Sequence, residues 1–204
     1  MHYWRKDSFE TLKVAAANAE NQAADWQEYV DFCLQSEKGL RSQALVSLNK
    51  FIEKIERKPF SERRKFVRWL MRNFQGRESY MLTPHPLKLR IVEPTLLEWT
   101  LVELHDFEPH LWIGDLEHLE KAHELEPANQ FVLKKLVIAL LGPIQYAGHH
   151  LPKGYLGEAL KDMETIKRLE SLLTLMERDD DRNALARDVA EEKLAIEQYL
   201  RGRA

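Results

Sequence analysis

Apolar residues recur at i, i+3, i+4 and i+7 along almost the whole chain, and strict strand-type alternation is nearly absent. That pattern predicts an all-α fold of antiparallel helix pairs, packed as an irregular α-solenoid or bundle. With 204 residues, eight Gly and eight Pro, and 44% apolar against 31% charged residues, the chain can bury a sizeable helical core. Length alone gives no strong reason to divide it. The reading is a single helical domain over 1–204, with a helical half at 7–75, a connection at 76–93 and a second half at 94–201.

Capping patterns locate the first helices. Asp7-x-x-Glu10 and Asp25-x-x-Glu28 have the form of capping boxes, and Gly39 ends the second helix. Leu40, Ala44, Leu48, Phe51, Ile52 and Ile55 make the stripe of a third helix, which Pro59 forces to stop. Ser61 is placed to cap a fourth helix, whose buried face is Phe66, Val67, Leu70, Met71 and Phe74, with Gly76 closing it. Residues 76–93, with Thr83-Pro84-His85-Pro86 and no stripe, read as a long connection. Farther on, Leu156, Leu160, Met163, Ile166, Leu169, Leu173 and Met176 mark a long helix. An Asp-capped last helix carries Leu185, Val189, Ile196 and Leu200.

The longest strongly apolar run, Leu136 to Leu141, has six residues, well short of the roughly 20 that cross a bilayer. The first residues lack an apolar stretch of the secretory kind, so the expected location is the cytoplasm, with no membrane partner. Cys33, set among Trp26, Tyr29, Val30 and Leu34, reads as a buried core thiol.

Three Glu-Pro pairs, at 93–94, 108–109 and 126–127, each precede a helical pattern and mark expected helix starts. Pro94 and Pro127 lie 33 residues apart and enclose what reads as two helices. Over 95–128 the segment resembles one unit of the tetratricopeptide repeat. Trp99, Leu119, Ala122 and Pro127 fall at the large aromatic, the second-helix apolar, the small packing and the terminal proline positions. Glu103, Asp106 and Asp115 stand where that family prefers Gly, Tyr and Ala. The resemblance implies stacked helix pairs and a protein-binding surface. The family's ligand-clamp cations have no counterpart here, because one repeat alone matches.

Charge is unevenly distributed. Residues 38–90 carry fourteen Lys or Arg against four acids, whereas 93–126 carry ten acids and only Lys121. The overall net charge of −3 conceals that asymmetry, which can steer a charged partner to one face or be neutralised across an internal seam. In the basic half, Arg64, Arg68 and Arg72 align at i, i+4 on one side of a helix, with Trp69 beside them. Cations in a row with an aromatic neighbour also suit the phosphates and bases of a single-stranded nucleic acid. Glu103, Asp106 and Glu117 are the acidic residues expected to meet a basic partner.

A second feature is the predicted loop Gly142–Gly154, with His149, His150 and Lys153. His149 and His150 are the candidate proton-transfer groups, with Glu158 nearby and Lys153 able to hold an anion; the P-loop spacing is absent. His118 and His123 are five apart, about 140° around a helix, which does not suit a helical metal chelate; only mixed pairs such as Glu120 with His123 have suitable spacing, which is common by chance. No metal and no cofactor is expected.

These features point first to a protein-interaction module or regulator that binds a polypeptide through a groove or charged face. One version neutralises a basic partner by occluding it. An enzyme using residues 142–154 and a nucleic-acid binder using the basic half are the alternatives. The Leu156–Met176 stripe approaches a heptad seam, which suits homodimerisation and packing against the last helix equally well.

Overall fold

The computed structural model of the chain describes residues 6–22, 24–73, 80–151 and 154–202. Among the described residues every regular element is helical, so the all-α expectation holds. The chain divides into two compact units, Met1–Leu104 and His105–Ala204.

In the first unit, α1 (Lys6–Glu20), α2 (Gln27–Glu37) and α3 (Arg41–Glu56) pack in sequence, with α2 against both neighbours. Gly39 has φ +74° and terminates α2, the left-handed turn for which glycine is suited. Ala44, Leu48, Phe51, Ile52 and Ile55 are buried as the stripe predicts, whereas Leu40 is the exposed residue that precedes α3. The core is aromatic. Phe66 of α4 (Phe60–Asn73) stands 4.7 Å from Phe51, 5.1 Å from Tyr29 and 5.3 Å from Trp26, ring centre to ring centre.

Three expected helix starts shift. Asp25 lies in a 3-10 turn at Ala24–Trp26, and α2 begins at Gln27 with Trp26 at its N-cap and no side-chain cap bond. α1 begins at Lys6, so Asp7 lies inside the first turn. α4 begins at Phe60, where the Pro59 carbonyl accepts from the Glu62 and Arg63 amides, and Ser61 stands in the first turn. Phe74 and Gly76 lie outside the described residues.

The stretch read as a connection is helical from His85 onward. α5 (His85–Leu87) runs through a π-helical turn at Lys88–Val92 into α6 (Glu93–Val102). Leu87, Ile91, Val92, Leu96 and Trp99 are its buried stripe. The wide turn falls directly before Pro94. A proline ring crowds the carbonyl four residues back and offers no donor, and a widened turn relieves both constraints. Glu93-Pro94 therefore continues a helix instead of starting one.

The second unit is built around α9 (Gln130–Gly148), which packs against α8 (Leu116–Leu125), α10 (Ala159–Leu175) and α11 (Asp180–Arg201); α7 (Glu108–Ile113) packs on α8. Glu108-Pro109 opens α7 as expected, and Gly114 at φ +76° closes it. Pro127 sits in a turn ahead of α9, which Asn129 caps by accepting from the Phe131 and Val132 amides. Asp179 caps α11, as the sequence predicts. The interval 95–128 thus carries parts of three helices, α6, α7 and α8. Trp99 belongs to the first unit, and Leu119 and Ala122 to the second.

α9 extends farther than its sequence reading. Gly142, Pro143 and the residues through Gly148 remain helical, because Ile144 and Ala147 continue the buried stripe of Leu133, Leu136, Val137, Leu140 and Leu141. Pro143 is exposed, and burial of that stripe offsets its missing hydrogen bond. Phe131 and Ile138 face outward. Among the described residues α9 is the helix long and apolar enough to cross a membrane by length and composition, with 44% of its apolar window buried in the fold. α10 starts only at Ala159, so Leu156 precedes it and Leu160 is exposed, while Ile166, Leu169, Leu172 and Leu173 are buried.

Candidate anion-binding cleft

One face of α4 gathers the cations singled out above. Residues four apart on a helix lie about 6 Å apart along its axis. Arg64, Arg68 and Arg72, with Lys65 between them, line a single cleft of about 520 Å³ in the first unit. Gln22 of the α1–α2 turn, Ser61 and Asn73 supply polar lining. Ser61, Lys65, Arg68 and Arg72 follow i, i+4, i+7, i+11 spacing, so Ser61 and Lys65 were readable from the same periodicity as the arginines. Gln22, remote in sequence, was not.

Trp99 positions the arginines. Its ring is fully buried in α6, and the Arg68 guanidinium lies 4.7 Å and the Arg64 guanidinium 5.5 Å from its centre. Arg64 also stands 5.7 Å from the Phe60 ring. Stacking on an aromatic face holds a guanidinium in place. Glu103, at the C-terminal end of α6, forms an ion pair with Arg64 and accepts a hydrogen bond from Trp99 Nε1 at 3.3 Å.

Other members of the acidic run meet the basic run in the same way. Glu98 pairs with Arg63 at 2.6 Å and Glu93 with Lys88 at 3.4 Å. Part of the charge asymmetry is therefore balanced inside the first unit. In the second unit, Glu120 pairs with Arg168 and Glu124 with Lys121. Asp106 accepts from the Glu108 amide at 3.0 Å, and Glu117 is exposed on the first turn of α8. Of the three acidic candidates, Glu103 thus belongs to one unit and Asp106 and Glu117 to the other.

Trp69 is almost completely buried. Its ring packs against Trp26 at 5.1 Å, Phe66 at 5.9 Å and Tyr29 at 6.0 Å, although part of it lines the cleft.

His149 and His150 are exposed at the end of α9, with ring centres 5.4 Å apart. Among the described residues neither ring is hydrogen-bonded to a carboxylate, and Glu158 is an exposed residue at the start of α10. Lys153 lies outside the described residues. His118 Nδ1 is 2.8 Å from Asp115 Oδ1, within the cap of α8, and its ring lies 5.4 Å from that of His110. Among the described residues no group of three or more His, Cys, Asp or Glu is placed to hold a metal ion. Cys33 is buried, and its thiol is pushed up to about 12 by burial.

No family model, no curated protein and no solved structure matches this chain.

Proposed function

We propose that this chain is a non-catalytic helical scaffold of the cytoplasm that binds a polypeptide partner and takes an acidic segment of it in the α4 cleft. The observation that carries this reading is the convergence of Arg64, Lys65, Arg68 and Arg72 on one cleft, with two of the guanidinium groups held by a buried tryptophan. Such a cleft complements carboxylates and gives a salt-sensitive, charge-steered association. Packed helix pairs are a common frame for a groove of this kind.

A polypeptide suits the cleft better than a single-stranded nucleic acid. Base stacking needs an open aromatic face, and the Trp69 ring is packed among three other rings. Catalysis at residues 142–154 has less support, since His149 and His150 are exposed and meet no carboxylate among the described residues. An acidic partner is also favoured over a basic one, because Glu93, Glu98 and Glu103 are each ion-paired to a cation of their own unit.

The test is fluorescence anisotropy of a labelled glutamate-rich peptide, and of a labelled single-stranded oligonucleotide, at low and high salt. The expected result is peptide binding that weakens with salt and drops at least tenfold in the double variant Arg68→Glu/Arg72→Glu, whose fold is checked by circular dichroism. Peptide binding unchanged in that variant, or binding of the oligonucleotide alone, would sink the proposal.

A further inference from the structure

α9 buries one side against α8, α10 and α11 and leaves the other bare. The bare side carries Phe131 at 62% exposure, Ile138 at 50% and Tyr146 at 75%, with exposed Gly142 between the last two. These four stand at i, i+7, i+11 and i+15, within about 80° of the helix circumference. A Cβ placed on Gly142 would meet nothing within 4 Å, so the face has an open notch one turn from the Ile138 side chain.

The face is self-complementary. In an antiparallel pair of α9 helices related by a two-fold axis level with residue 140, Ile138 of each copy enters the Gly142 notch of the other. Residues exchange roles across such an axis, so one knob and one notch make two contacts.

Charge selects the same orientation. α9 carries no Asp or Glu, and its cations are Lys134 and Lys135 in its first half, where Lys134 pairs with Asp181 and Lys135 donates to the Leu111 carbonyl. A parallel pair would set these cations against their own copies. An antiparallel pair brings each set toward the C-terminal half of the other helix, the negative end of its dipole.

The area suits a reversible dimer. Aromatic side chains bury about 150 to 250 Å² each, so the exposed parts of Phe131 and Tyr146 amount to roughly 250 Å² per copy. With Ile138 and the rim of the face, two copies bury about 1,000 Å², the lower bound of a specific interface. The stripe of α10 offers no comparable face, since Ile166, Leu169, Leu172 and Leu173 are buried in the fold.

We propose that this face is the contact between two copies of the chain, a two-fold antiparallel pairing of α9 with Ile138 seated over Gly142. α9 belongs to the second unit and the α4 cleft to the first, so the proposal does not depend on what the cleft binds.

The experiment is sedimentation equilibrium of the full chain from about 1 to 300 μM, where the wild type is expected to form a reversible dimer with a dissociation constant on the order of 10 μM. Gly142→Leu fills the notch and is expected to weaken the dimer at least tenfold, with helical circular dichroism unchanged at about 1 μM because leucine is the better helix former. Ile138→Ala, which removes the knob without adding bulk, is expected to weaken it several-fold. Combining the two exchanges large and small across the axis and is expected to recover most of the affinity lost in Gly142→Leu, which a mere loss of folding could not do. A wild type that stays monomeric throughout, whether or not it floats with phosphatidylcholine vesicles, overturns the proposal. So does a dimer that both single variants leave intact, or one that the double variant fails to restore.

Discussion

The Tyr29 hydroxyl donates a hydrogen bond to the Leu82 carbonyl at 3.0 Å, and both residues are fully buried. This bond fixes α2 to the segment that leads into α5, across 53 residues of sequence. A buried acceptor that loses its donor bears the full cost of desolvation. Tyr29→Phe keeps the ring packing against Phe51 and Phe66 and removes only the hydroxyl. It is expected to lower stability by about 1 to 2 kcal/mol, with an unchanged m-value in urea denaturation. A loss below measurement error would show that the bond contributes nothing net.

Cys33 provides a direct probe of the same core. Burial pushes its thiol up to about 12, so almost no thiolate is present at pH 8. An aromatic disulfide reagent is expected to leave the native chain unlabelled for hours and to titrate the cysteine promptly in denaturant. Prompt labelling of native protein at pH 8 would mean that this core opens far more readily than its packing implies.

Where apolar spacing was regular, the sequence was a sufficient guide. The stripe of α3 and the glycine that ends α2 needed no tertiary information, because both are local consequences of helix geometry. The π turn at Lys88–Val92 and the continuation of α9 through Pro143 were not legible. In both places a proline signals a break, and burial of a long apolar stripe overrides it. The cleft shows the same division. The alignment of Arg64, Arg68 and Arg72 follows from their spacing, whereas the seating of two of these arginines on Trp99 depends on the packing of α4 against α6. That long-range contact also turned Glu103 from an expected surface contact into the ion-pair partner of Arg64.

Pro143 allows that override to be measured. It lies inside α9 on an exposed face, so replacing it with a smaller residue opens no cavity. Pro143→Ala restores a backbone donor and removes the ring, a gain of up to about 3 kcal/mol in a helix interior. Loss of the unfolded-state restriction that proline imposes offsets about 0.5 to 1 kcal/mol of it. The net expectation is stabilisation of about 1 to 2 kcal/mol, seen as a higher thermal midpoint with unchanged helical circular dichroism. A destabilised variant would show that the helix is adapted to its proline.

His110 is the group through which acid should loosen the second unit. Its Nδ1 is buried with no hydrogen-bond partner, and its ring lies 5.4 Å from that of His118. Burial, then the neighbouring His118 and Lys121, lower its pKa, against a smaller opposing effect of Asp106. Lys135 adds a further cation near α7, donating from α9 to the Leu111 carbonyl, while Asp115 stays ionised because His118 holds its carboxyl below the usual range. The folded chain therefore binds a proton at His110 less readily than the unfolded chain does. Stability from this group is fully present above the unfolded value of about 6.5 and is lost as pH falls below it toward the lowered folded pKa. The thermal midpoint of the wild type is expected to fall between pH 7.5 and pH 5.5, and the slope to shrink in His110→Gln, which cannot titrate. Comparing the two proteins cancels the other ionisable groups, including Glu192, whose pKa burial raises. An identical slope in both would place the pH dependence elsewhere in the chain.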